Sequence, residues 1–182
     1  MAPTLSGEHY ILRPFNRDDL PRFTLYRCHP DVARYQSWSD YTLADAEQLF
    51  NGMDYTSFGT EGAWYQLAIE QRVTGEMAGD VAIHFIDSQQ AEIGFTVAPS
   101  FQNKGVARAA INLLTAYLFN TLQLHRIIAV TDARNRPACR LLERSAFRRE
   151  GHFLKNIFFK GEWADEYLYA KLQEEHNKEV IV

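Results

Sequence analysis

The chain has 182 residues, 46% hydrophobic and 23% charged, which fits one globular domain with a sizeable core and excludes a mainly disordered state. Lys plus Arg is 19 against 23 for Asp plus Glu, and a net charge of -4 argues against general nucleic-acid binding, which calls for a basic excess. No apolar run approaches the ~20 residues of a bilayer span, Met1–Glu8 lacks the basic patch and apolar core of a signal peptide, and Cys28 and Cys139 make neither a disulfide framework nor a zinc spacing, so a cytoplasmic protein with no membrane contact and no metal is expected.

In chain order, His9–Phe15 reads as a strand closed by Pro14, and Asn16 is placed to cap a helix over Arg17–Arg27. Pro30–Tyr41 carries Tyr35, Trp38 and Tyr41 at no clear period and reads as loop. Thr42 caps a helix running to about Met53, with Asp45 in its first turn. The pattern then switches to period two. Trp64–Glu70 sets Tyr65, Leu67 and Ile69 on one face, and Met77–Ile86 sets Val81, Ile83 and Phe85 opposite Asp80, Ala82 and His84. Glu92–Ala98 sets Ile93, Phe95 and Val97 opposite Glu92, Gly94 and Thr96. Short turns at Gly75 and Asp87–Gln90 make these three an antiparallel meander.

Helical spacing follows over Val106–Leu118, then a β-rich run at Arg126–Thr131, then a helix from about Pro137 to Ser145. Phe147–Phe153 and Glu166–Ala170 read as closing strands around Gly161. The order predicts a single mixed α/β domain over residues 1–182, with its core at about 8–172 and a βαβ crossover through the Val106 helix.

The segment Pro99–Arg108 lies between a strand and that amphipathic helix. Gly105 and the small Ala107 admit close approach of a ligand to backbone, and the free N–H groups of a first helical turn suit a phosphate. Lys104 and Arg108 add positive charge. The inference is an anion site, most naturally for a pyrophosphate; neither the Walker nor the GxGxxG pattern is present. A plain strand-to-helix turn is the competing account.

Gln102-Asn103-Lys104-Gly105-Val106-Ala107 resembles the Q/RxxGxG/A signature of the GNAT acyl-CoA-dependent N-acetyltransferases. His125-Arg126-Ile127 through Asp132, Asn135, Leu141–Arg144, Phe147 and Glu150-Gly151 resemble the subgroup of ribosomal-protein N-terminal acetyltransferases. So do Leu12-Arg13-Pro14 with Asp18-Asp19 near the start, and Gly161–Trp163, Asp165-Glu166 and Leu168-Tyr169 near the end.

The resemblance implies a mostly antiparallel sheet with flanking helices and a splayed cleft for acetyl-CoA, the acetyl donor. It implies that backbone of Phe95, Thr96 and Val97 pairs with the pantetheine amides. Backbone from Gln102 to Ala107 would hold the pyrophosphate, Asn135 the pantetheine arm, and Arg108 the terminal phosphates. Arg140 reads rather as a solvated helix face. Ala138 and Ala146 replace a Ser and a Gly common in relatives, and Leu142 replaces the Tyr that serves many of them as general acid.

Glu92 is the first candidate base and His84 the second; the competing accounts are an exposed strand-end carboxylate and a structural histidine. A backbone N–H near Val97 is expected to hold the oxyanion. Tyr167 and Ser145 are weak candidates for the acid, and Cys139 is expected to be buried. Trp38 and Tyr35, beside Arg34, are expected to form a substrate wall. The acceptor is an amine, on a monomer or homodimer. Presenting it neutral at pH 7 costs roughly 1 kcal/mol for an α-amine and about 4–5 for lysine, which favours a protein N-terminus. A peptide acceptor predicts an open groove between the Trp38 loop and the Lys155–Trp163 connection; a polyamine or aminoglycoside predicts a closed acidic pocket. A non-catalytic acyl-CoA-binding module is the remaining alternative.

Overall fold

The computed structural model describes the backbone of residues 1–180 and the side chains of residues 1–178. One eight-stranded sheet forms the centre: β1 (Leu5–Ser6), β2 (Tyr10–Pro14), β3 (Trp64–Gln71), β4 (Met77–Phe85), β5 (Gln90–Val97), β6 (Arg126–Asp132), β7 (Arg148–Phe159) and β8 (Glu162–Leu172). Its spatial order is β1-β2-β3-β4-β5-β6-β8-β7, and every pairing is antiparallel except β5 with β6. The helices are α1 (Leu20–Arg27), α2 (Pro30–Ala33), α3 (Leu43–Asn51), α4 (Val106–Asn120), α5 (Arg136–Arg144) and α6 (Gln173–Val180).

The Thr42 cap forms as expected, whereas Asn16 precedes a 3-10 turn and no side chain caps α1. Asp19 reaches back to the Asn16 N–H at 2.8 Å, although Arg17–Asp19 is a 3-10 turn that precedes α1. Thr42 and Asp45 close a reciprocal capping box on α3 at 2.7 and 3.2 Å. The period-two readings of β3, β4 and β5 hold, because each strand turns Leu67, Ile69, Val81, Ile83 and Ile93 to one buried face beneath α4, whose Ile111, Leu114 and Leu118 are buried against them. Each such side chain contributes ~1.5–3 kcal/mol on burial. Helix α1 covers β4 on the opposite face.

Three readings need correction. Pro30–Tyr41 is not loop throughout, since Pro30–Ala33 forms a single helical turn capped by His29. The closing strands are longer than expected, at 12 and 11 residues, because β7 is the outer strand and its exposed faces show no alternation. The Lys155–Trp163 connection is therefore hairpin strand, folded at the positive-φ pair Lys160–Gly161. Strand β1 and helix α6 were not anticipated.

Gly79 sets the spacing of β4 and β5. A Cβ there would lie 2.2 Å from Thr96 O and 3.1 Å from Val97 Cα. At Gly94, on the same strand pair, a Cβ would meet only Ala82 Cβ at 3.7 Å.

Candidate active site

Strands β5 and β6 are paired only at Gln90–Arg126, Ala91–Ile127 and Glu92–Ile128. Beyond Glu92 they part, while β6 stays paired with β8 as far as Asp132. The Ala98 N–H donates to Ala78 O of the strand preceding the cleft, at 2.9 Å. Alternation along the antiparallel ladder then turns the backbone groups of Ile93, Phe95 and Val97 to the open edge and those of Gly94 and Thr96 to β4. The side chains of Phe95 and Val97 are only partly buried, because the cleft beside them holds no protein.

The open edge leads into the predicted anion loop. Asn103 and Gly105 have φ of 60° and 77°, the left-handed region that suits Asn and Gly, and Gly105 starts α4. No side chain caps this helix. A Cβ on Gly105 would find nothing within 4 Å, so the backbone conformation and open space, not crowding, favour glycine there. Gln102, Asn103, Lys104 and Arg108 are exposed, Ala107 is half-buried and Val106 is buried, anchoring the turn. The Gln102 amide donates to Val97 O at 3.3 Å, tying the loop to the open edge. Lys104 Nζ lies 5.5 Å from the Phe101 ring centroid.

At the apex of the split, register lines up Trp64, His84 and Glu92 across β3, β4 and β5. The two candidate bases are thus neighbours. His84 Nδ1 is 3.8 Å from Glu92 Oε2, an ion-pair distance too long for a hydrogen bond, and this nitrogen has no hydrogen-bond partner. The His84 ring stacks on Trp64, centroids 4.6 Å apart and planes 4° apart. Burial lifts the Glu92 carboxyl above the usual carboxylate range, and the His84 ring pulls the other way.

Beside this row opens a cavity of about 670 Å³ whose lining includes Trp38, Tyr41, Trp64, Gln66, Asp40 and Asp45. Two hydrogen bonds from Thr42 hold the Asp45 carboxyl below its usual range, so it is an anion at neutral pH. Under the wall sits a polar cluster that the sequence reading missed. Asp80 is 1% exposed and accepts from Tyr26 Oη, from Arg27 Nη2 at 3.3 Å and from Gln66 Nε2 at 2.7 Å. The Arg27 guanidinium lies 4.0 Å from the Trp38 ring centroid and 4.2 Å from that of Phe23. Trp38 Nε1 donates to Arg27 O at 3.0 Å. Only the Asp80 position on the inner face of β4 was legible, with nothing in the sequence to join it to residues 14 and more than 50 positions away.

The other candidates fall as follows. Tyr35 does not line the cavity; its hydroxyl donates to Arg134 O at 3.3 Å, because the α2 turn directs it toward the β6–α5 loop. Asn135 caps α5 through Oδ1, which accepts from Ala138 N at 3.3 Å, and no hydrogen bond from its NH2 occurs among the described residues. Cys139 is buried and Arg140 exposed, as expected, and Leu142 is buried as well. Tyr167 lies on the sheet face opposite Glu92, beside His152 and beneath Arg149. Val97 is five residues from Glu92, roughly 16 Å along a strand, and the Phe95 N–H on the same open edge lies nearer the apex. No trio of His, Cys, Asp or Glu able to hold a metal occurs among the described residues, and no described helix is long and apolar enough to cross a membrane.

A family profile described as "Acetyltransferase (GNAT) domain" matches residues 9–148. The uncharacterized N-acetyltransferase YnaD of Bacillus subtilis is 45% identical over 174 residues, covering 95% of this chain and 99% of its own. The spermidine N-acetyltransferase of Vibrio cholerae, solved with CoA and spermine, superposes with a TM-score of 0.82 at 26% identity, over 94% of this chain and 99% of its own. A ribosomal protein uS5 alanine N-acetyltransferase of Escherichia coli is 30% identical over 78 residues, 43% of this chain and 40% of its own. With the split sheet and the anion loop already in place, these likenesses settle membership: the chain belongs to the GNAT acetyltransferase family and is an acetyl-CoA-dependent N-acetyltransferase acting on an amine.

Proposed function

We propose that the acceptor is a small polycation of the polyamine class, acetylated directly on a primary amine. The observation that carries this reading is the cavity at the Trp64 end of the row that leads through His84 to Glu92, walled by Trp38, Tyr41 and Trp64 and bearing the carboxylates of Asp40 and Asp45. Aromatic faces and anions together suit a chain of ammonium groups. Contacts cross the place of the expected peptide groove, since Lys160 at the β7–β8 turn donates to Ala33 O of α2 and Tyr35 donates to Arg134 O, although the cavity itself opens to solvent and is not the enclosed pocket expected for a small acceptor. By fold the spermidine and S5-alanine enzymes both match over nearly the whole chain, but in sequence a spermidine N(1)-acetyltransferase of Escherichia coli is 27% identical over 160 residues and the uS5 enzyme 30% over 78.

The open β5 edge and the anion loop fit acetyl-CoA, which when bound supplies a thioester carbonyl and a good leaving group. Backbone of Ile93, Phe95 and Val97 extends the sheet onto the pantetheine amides, with Thr96 contributing only its place in the strand. The Gln102–Ala107 backbone and Arg108 hold the phosphates, and the Asn135 NH2 meets the arm. Glu92 takes the proton from the attacking amine, through a water where the amine sits out of reach, and its raised pKa makes it the stronger base. His84 faces Glu92 and steadies the charge. The Phe95 N–H donates to the carbonyl oxygen as negative charge develops there. With Leu142 buried and Tyr167 on the far face, water delivers the proton to the departing sulfur.

An acceptor panel with acetyl-CoA, read by free thiol release, tests this. Spermidine and spermine are expected to give the highest kcat/KM, above an aminoglycoside and an N-terminal ribosomal-protein peptide. A peptide that outruns every polyamine refutes it.

A further inference from the structure

The polar cluster beneath the cavity assigns a role to Gln66. The residue is 7% exposed, yet it contributes to the cavity wall. Its Nε2 donates to Asp80 Oδ2 at 2.7 Å. A carboxylate only accepts hydrogen bonds, so the amide has one workable orientation, with NH2 toward Asp80 and Oε1 away from it. Asp80 is itself held by Tyr26 and Arg27, which fixes the amide further. No donor among the described residues reaches Oε1, and Oε1 is not among the sealed, partnerless side-chain atoms. A buried side chain therefore carries one unused acceptor at the cavity wall. A buried amide oxygen without a partner costs free energy unless water or a ligand supplies the donor.

We propose that Gln66 is a specificity-determining residue, whose Oε1 accepts a hydrogen bond from an ammonium N–H of the acceptor, and that Asp80 is the positioning residue that turns the amide outward. The assignment rests on the polyamine reading of the same cavity. It extends that reading from the surface acids to a rigid, neutral group that counts N–H donors and not charge alone. The quaternary-ammonium or ether analogue of an acceptor, having no N–H at that position, gains nothing from Gln66.

The test is steady-state kinetics with spermidine and acetyl-CoA on the wild type and Gln66→Met, a variant of similar volume that leaves Asp80 its bonds to Tyr26 and Arg27. The KM for spermidine is expected to rise about tenfold, the worth of one hydrogen bond to a charged group. The kcat and the Kd for coenzyme A are expected to stay within about twofold, as for loss of uniform binding. Asp80→Asn frees the amide to turn over and is expected to raise KM in the same direction. If Gln66→Met melts below the assay temperature, Gln66→Asn, which withdraws the amide by one methylene, is expected to show the same KM rise. An unchanged KM beside intact wild-type turnover overturns the Gln66 assignment alone. So does a fall in kcat accompanied by lost coenzyme A binding, which marks a merely structural role. A wild type that turns over no polyamine overturns the acceptor class, and the Gln66 assignment with it, before any variant is made.

Discussion

Replacing Gly79 by alanine places a methyl group 2.2 Å from a carbonyl oxygen of the neighbouring strand, more than 1 Å inside the 3.4 Å at which ordinary contact begins. Neither partner is a flexible side chain, so the strands must separate. Overpacking of this kind costs about 1–3 kcal/mol, and contact with backbone places it at the upper end. At ~2–4 °C per kcal/mol for a chain of this size, Tm should fall by roughly 5–10 °C. The displaced atoms belong to Thr96 and Val97, where the open edge meets the anion loop, so coenzyme A affinity should fall as well. Gly94→Ala is the matched control, because its methyl group meets only Ala82 Cβ at an ordinary distance. Differential scanning fluorimetry and titration calorimetry with coenzyme A read both effects. Equal Tm and equal affinity in the two variants would refute the argument that Gly79 fixes the strand spacing.

Glu92→Gln should lower kcat by about 10²–10⁴, the worth of a general base, while coenzyme A still binds; retained turnover removes Glu92 from the mechanism. The same variant should be stabilised relative to wild type as pH rises. A carboxyl with a raised folded-state pKa favours the fold below its unfolded pKa and loses that contribution as pH climbs through the folded one, so the Tm difference between Gln and Glu should grow from pH 4 to pH 8. Glu150 behaves oppositely. Arg126 and Arg148 hold its carboxyl at about 2, down from an ordinary 4.5, so its contribution is present above 4.5 and lost as pH falls toward 2. Glu150→Gln should flatten the acid limb of Tm against pH, and an unaltered limb would remove this ion cluster from the account.

Much of this was legible because burial writes a period into the chain. The alternation of β4 set Asp80 and His84 opposite Val81 and that of β5 set Glu92 opposite Ile93, and the pairing of the two strands then made His84 and Glu92 neighbours. Helix α4 and its glycine start were readable for the same reason. Where burial is one-sided or missing the signal fails: β7 is exposed along nearly its whole length, and β1 and α2 are too short for a period to show. The backbone direction of Thr96 was hidden for another reason. Side-chain alternation tells which face a residue occupies, but which neighbour its backbone addresses depends on the pairing of β5 with β4. Gln66, Asp80 and Arg27 come from three elements and meet only in the fold, so no local pattern announces them.

The sheet has a seam. Three residue pairs stitch β5 to β6, and past Glu92 the rungs are missing on one side of five residues. On the proposed pairing of acetyl-CoA with that edge, the donor completes the ladder and is mortar as well as reagent. A ligand at a hundredfold excess over its Kd adds ~2.7 kcal/mol to the folded state. On the proposed binding mode the sturdiness of this protein rises with the pool of coenzyme A and its esters, and the molecule that feeds the reaction also guards the catalyst against heat.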